Sequence, residues 1–112
     1  MILKNPISLQ DLINNSNNFF PDRIKFCIHK PTGTIAIDEE LHMDMEYELY
    51  DEVGEINNIY GGDLYFDPIK VVWEAHPNVE RNRELGTSSN GRKLTDEVII
   101  DELFAQLKRF VL

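Results

Sequence analysis

Leu41-His42-Met43-Asp44-Met45-Glu46-Tyr47-Glu48-Leu49 is the stretch on which the fold turns. Leu41, Met43, Met45, Tyr47 and Leu49 alternate strictly with His42, Asp44, Glu46 and Glu48, as in a half-buried strand, while Leu41, Met45 and Leu49 also keep a helical spacing. Both periods fit, so residue type has to decide. Leu, Met and Glu are good helix formers, Asp44 is a good N-cap, and Gly54 stands where a left-handed residue ends a helix. The segment therefore predicts a short helix from Met45 to Val53.

A helix in the middle leaves a hairpin on either side of it. Ile24, Phe26 and Ile28 alternate with Lys25, Cys27 and His29, and the alternation resumes at Ile35 and Ile37 after Lys30-Pro31-Thr32-Gly33. Proline second and glycine fourth in that turn suit a type I-based loop. Downstream, Gly61-Gly62 reads as a turn before Leu64-Tyr65-Phe66. After Asp67-Pro68, Ile69, Val71, Trp73 and Ala75 alternate with Lys70, Val72, Glu74 and His76. Trp73 shares a face with Ile69 and Val71, which points to core packing rather than to a stacking platform.

Helices are expected at both ends. Ser8 with Asp11 three residues later resembles a capping box, and Leu9, Leu12, Ile13, Ser16, Phe19 and Phe20 form a stripe. The Asn14–Asn18 run weakens it, so fraying is expected before Pro21. At the far end Thr95 is a cap, Asp96 and Glu97 open the helix, and Lys108 and Arg109 close it, matching the helix dipole. Ile99, Ile100, Leu103, Phe104, Leu107, Phe110 and Val111 form its core stripe, while Pro77 to Gly91 lacks periodicity and reads as a loop. The expected fold is α+β: a two-layer, four-stranded antiparallel sheet of two hairpins, N- and C-terminal helices packed on one face, and a short middle helix. At 112 residues a second core would leave both halves too small, so residues 1–112 are expected to form a single domain.

Composition narrows the function classes. With 42% hydrophobic and 28% charged residues, disorder and coiled coil are disfavoured. No apolar run is long enough for a membrane span, and the N-terminus lacks a leader pattern, so a cytoplasmic protein without a membrane partner is expected. Cys27 is the single cysteine, which excludes an internal disulfide and a thiolate zinc cluster; it is expected to pack as a small hydrophobe. The net charge of −9 is unevenly spread: residues 31 to 69 hold eleven acids and no Lys or Arg, and the rest holds nine acids and eleven bases, a balance of +2. Phosphate backbones need clustered cations, so no nucleic-acid partner is expected on that face. Calcium, a basic protein partner or mimicry of a polyanion suits it better, a homodimer is the form of self-association expected of an interaction module, and a solvated face that aids solubility is the plainest reading.

Motifs for chemistry are sparse. Residues 38 to 55 lack the central glycine of an EF-hand loop, and G-x-S-x-G, Walker A, G-x-G-x-x-G and H-E-x-x-H are all missing, so no cofactor and no metal is implied. Gly61-Gly62 is a turn signal before it is a phosphate cradle. Of the three histidines, His29, His42 and His76, only His42 belongs to a ligand-like string, His42-x-Asp44-x-Glu46, which an extended segment would project on one side. Asn82 and Arg83 lie in the loop, where a guanidinium can clamp a carboxylate or phosphate, and would complete a polar site if the loop folds back over His42.

Glu40-Leu41-His42-x-Asp44-x-Glu46, then Gly61-x-x-Leu64-Tyr65, then Pro77 followed by Asn82-Arg83, resembles over most of the chain a family of small prokaryotic proteins catalogued as a domain of unknown function. That family's pattern looks like G-E-L-H-A-D-x-E, then L-W-G-x-N-L-Y-P, then I-N-I-R-P with G-N-R-S. Here Ile37-Asp38-Glu39 stand where its glycines precede Glu40, Tyr60 replaces its tryptophan, Asp63 its asparagine and His76 its arginine before proline. The resemblance implies one compact domain with a helix after His42, keeps His42, Asp44, Glu46, Asn82 and Arg83 as ligand-binding candidates, and implies no particular activity. A non-enzymatic binding or interaction module is the leading expectation. A small enzyme or metal- or anion-ligand binder built on those five residues is the alternative.

Overall fold

The computed structural model of the chain describes residues 1–77 and 97–111, without the side chains of 75–77. Helix α1 is Leu9–Asn15, strands β1 and β2 are Arg23–His29 and Thr34–Ile37, helix α2 is His42–Val53, strands β3 and β4 are Ile59–Phe66 and Ile69–Pro77, and helix α3 is Glu97–Phe110. The strands form one antiparallel sheet in the order β2-β1-β3-β4. Both predicted hairpins are present, and the pairing of β1 with β3 joins them.

The alternation in the strands sorts side chains onto two faces. One carries Ile24, Phe26, Ile28, Ile35, Ile37, Tyr60, Leu64 and Trp73, closed by Leu12 of α1 and by Leu103, Leu107 and Val111 at the C-terminal end. The Trp73 ring meets Phe26 edge-on, with centroids 5.3 Å apart at 88°, the arrangement an aromatic quadrupole favours. The other face carries Cys27, Ala36 and Ile59, covered by Met45 and Leu49 of α2. The N- and C-terminal helices thus share a face as expected, and the middle helix covers the opposite one.

Gly61 and Gly62 are not a turn. They lie within β3, opposite Cys27 and Phe26. A Cβ on Gly62 would stand 2.5 Å from Cζ of Phe26, so the missing side chain is the room that the Phe26 ring occupies. In the first hairpin Gly33 takes φ +72° and donates its N–H to the His29 carbonyl at 2.8 Å, closing the turn with the left-handed residue that its fourth position requires.

Two helix boundaries differ from expectation. Helix α2 begins at His42, and Leu41 is the extended flanking residue. Asp44 therefore caps nothing; it sits in the first turn, where its charge faces the positive end of the helix. Gly54 ends α2 in the left-handed conformation, its N–H bonded to the Tyr50 carbonyl. Helix α1 starts at its Ser8 cap, which accepts the Asp11 N–H at 3.1 Å, and stops at Asn15, so Ser16, Phe19 and Phe20 leave the predicted stripe. Asparagine side chains compete for backbone groups there. Asn15 donates to the Asp11 carbonyl at 2.8 Å, and Asn17 turns away to bond the Asp38 carboxylate through its backbone N–H at 2.9 Å and its amide at 3.1 Å. The N-terminal residues lie beside β2, with Leu3 N–H bonded to the Ile35 carbonyl and Ile37 N–H to the Met1 carbonyl. The Thr95 cap and the 77–91 loop lie outside the described residues apart from Pro77 itself.

Candidate functional site

The string His42-x-Asp44-x-Glu46 needs an extended backbone to act together, and the helix separates it. His42 opens α2 facing the sheet and is buried, Glu46 follows one turn later and is half-buried, and Asp44 points to solvent. Asn82 and Arg83 lie outside the described residues. Among the described residues no group of three or more His, Cys, Asp or Glu side chains is arranged to hold a metal ion.

His42 instead meets residues that the linear pattern did not connect with it. Its Nε2 is 3.0 Å from the Gly62 carbonyl, which can only accept, so Nε2 carries the proton. The same nitrogen is 3.7 Å from the Asp63 carboxylate, and Lys25 Nζ reaches that carboxylate at 3.2 Å. Asp63 and Lys25 are direct partners across β3 and β1. Such a pair of adjacent opposite charges is the usual way a sheet carries charge on a covered face. The Cys27 thiol donates to the His42 carbonyl at 3.6 Å. Burial pushes that thiol well above its ordinary pKa, with the Glu46 and Asp63 charges adding to the effect. A thiol so held is a packing group and not a nucleophile.

His29, buried in β1, is the second polar centre. Its Nδ1 is 2.8 Å from Thr32 Oγ1 and its Nε2 is 3.0 Å from Glu55, whose other oxygen accepts from Asn58 at 2.9 Å. The sequence marked His29 but not its partners. Thr32 could have been found, because a residue three positions on in a tight turn lies beside the histidine; Glu55, 26 residues on in the connection between α2 and β3, could not. His76 lies in β4, its side chain outside those described.

The outward surface of α2 is the third feature. Met43, Tyr47 and Tyr50, spaced as one helical stripe, are 48%, 62% and 50% exposed, and Leu41 just before the helix is 55% exposed. A surface helix ordinarily turns charge to solvent and keeps its apolar stripe for the core. Here Met45 and Leu49 already fill the core side, so α2 has a second apolar stripe, bordered by the exposed carboxylates of Glu40, Asp44 and Asp51. Several other acids of the block are engaged: Glu39 and Glu48 hold the Met1 ammonium at 2.6 and 2.7 Å, and Glu52 pairs with Lys4. Among the described residues no cation lies within ion-pair distance of Glu40, Asp44 or Asp51.

No helix among the described residues is long and apolar enough to cross a membrane. Comparisons with protein-family models, with curated proteins and with solved structures find no match.

Proposed function

We propose that the protein is a binding module whose contact surface is the outward side of α2, and that its partner is a basic segment carrying apolar anchors. The carrying observation is the exposed stripe of Leu41, Met43, Tyr47 and Tyr50 framed by Glu40, Asp44 and Asp51. Aromatic and methionine side chains supply contact area at low entropic cost and are enriched in interfaces. The surrounding carboxylates select the sign of the partner's charge and speed its approach. The ligand-binding alternative built on His42, Asp44 and Glu46 has less support, since the helix turns Asp44 away from the other two.

A synthetic amphipathic peptide with lysines flanking leucines tests the proposal by calorimetric titration. Binding is expected to weaken when salt shortens the screening length from about 10 Å to about 3 Å. Replacing both Tyr47 and Tyr50 by Ala is expected to cost about tenfold or more in affinity, as loss of central aromatic anchors does. Binding that ignores both salt and the double substitution overturns the reading. Concentration-dependent sizing of the free protein would identify a second copy of the chain as the occupant of the stripe instead.

A further inference from the structure

Tyr47 is the centre of the outward surface of α2. On a helix the side chains three and four positions away stand nearest, their Cβ atoms about 5–6 Å off. For Tyr47 these are Met43, Asp44, Tyr50 and Asp51, all four exposed. Round the helix axis Met43 and Tyr50 fall to one side of the ring, and Asp44 and Asp51 fall to the other. An exposed ring thus has an apolar flank and an acidic one, with a carboxylate one turn before it and another one turn after it. Helical side chains lean toward the N-terminus, which brings Asp51 over the turn that holds Tyr47. Cations lie over Phe20, Tyr65 and Phe104, but among the described residues none lies over Tyr47.

A ring flanked by carboxylates is a different receptor from a carboxylate alone. The ring face attracts a cation, and the acids stand beside the ring, so a group that serves both must lie flat and donate from its rim. Guanidinium is planar, weakly hydrated and donates within its own plane, whereas ammonium is a compact and strongly hydrated point charge. The molecule holds both cations against one ring. Arg23 lies 4.4 Å from the Phe20 centroid while its Nη1 donates to Asp22 at 3.0 Å. Lys25, bonded to Asp63 at 3.2 Å, stands 5.2 Å from the same centroid. With a carboxylate to serve as well, the arginine keeps the closer ring contact.

Taking the outward side of α2 as the contact face proposed above, we infer that the partner segment meets it with an arginine, the guanidinium stacked on Tyr47 and bonded to Asp44 or Asp51. Its aliphatic stem lies along Met43 and Tyr50, where it covers apolar surface. A lysine in its place still meets a carboxylate but gives up the stacking.

Two forms of the leucine peptide, one with lysine and one with arginine at every basic position, are titrated calorimetrically into the intact chain at one ionic strength. The arginine form is expected to bind about fivefold more tightly, the order of one exposed cation–ring contact. Tyr47→Phe is expected to keep that preference, and Tyr47→Leu, which retains apolar area but has no aromatic face, to remove it. Asp44→Asn combined with Asp51→Asn is expected to weaken both forms, and the arginine form more. The three positions are exposed, so each variant is expected to keep the circular dichroism of the folded chain. Equal binding of the two forms to the unaltered chain overturns the inference and leaves the basic-partner reading standing. A preference that survives Tyr47→Leu also overturns it, because the arginine is then recognised elsewhere. Binding of neither form removes the contact face itself, and the arginine with it.

Discussion

The two faces of the sheet are built by different rules. The face under α1 and α3 is made of branched aliphatic and aromatic side chains, and its strands show this as plain alternation. Among the described residues, the face under α2 has Cys27, Ala36 and Ile59 as its buried apolar floor, and beside them stand charge and imidazole: Lys25 with Asp63, His42 near Asp63, His29 with Glu55. Beyond the edge of α2, cations lie over rings instead, Arg23 at 4.4 Å from the Phe20 centroid and Lys70 at 5.0 Å from that of Tyr65. The first face is held by shape and apolar area. The second is held by pairing, and each of its charges is acceptable only because a partner stands opposite.

The contrast is sharpest at Phe26. Phe26→Ala is expected to lower stability by about 3–5 kcal/mol, as removal of a buried ring does, with urea unfolding as the measurement. Gly62→Ala is expected to cost about 1–3 kcal/mol by overpacking. Because the clash is with the ring, a good part of that cost should vanish in the Phe26→Leu background. If the two substitutions add independently, Gly62 is not there to make room for Phe26.

On the pairing face, Asp63→Ala removes the common partner of Lys25 and His42 and is expected to cost about 1–3 kcal/mol, the range for stranding buried polar groups. Adding Lys25→Met should recover part of the loss. A single substitution as harmless as one on the open surface would mean that this face does not depend on its pairs.

The same face should respond to pH through Cys27. Its thiol is held above the ordinary value chiefly by burial, so the folded protein keeps a proton that the unfolded chain releases above about pH 8.5. Stability is therefore expected to fall as pH rises beyond that point, and Cys27→Ala should flatten the decline. Asp38 has the same sign at acid pH: burial raises its carboxyl. Its contribution is therefore present below about pH 4 and lost as pH rises through the raised value. Asp38→Asn, which can still accept from Asn17 and tolerates the φ of +67°, removes that slope. The smallest expected effect is at Tyr47: Tyr47→Ser should change stability by less than about 0.5 kcal/mol, since the ring contributes to no core.

The first face was legible in the sequence because its rule is local. Ile24, Phe26 and Ile28, or Ile35 and Ile37, announce their side of a strand by spacing alone, and Leu103 and Leu107 do the same on a helix. Residues 41–49 satisfied two periods at once, and what separates them is the partner surface. A strand would have buried Met43 and Tyr47 along with Met45, whereas α2 buries Met45 and Leu49 and leaves Met43 and Tyr47 outside. The pairs of the second face were not legible, because Lys25 and Asp63 are 38 residues apart and His29 and Glu55 are 26 apart. Gly61-Gly62 misled for the same reason, its meaning lying in Phe26 on another strand.

The backbone bonds that Met1 and Leu3 make along β2 have a further consequence, for how the molecules behave toward one another. An outer strand with idle N–H and C=O groups is a template on which a foreign strand can grow, and proteins go to some length to blunt it. Here the chain's own first residues occupy that template at Ile35 and Ile37. Stacking of molecules through this side of the sheet must first peel that segment away, which places a barrier in front of the route by which small sheet proteins pass into fibres.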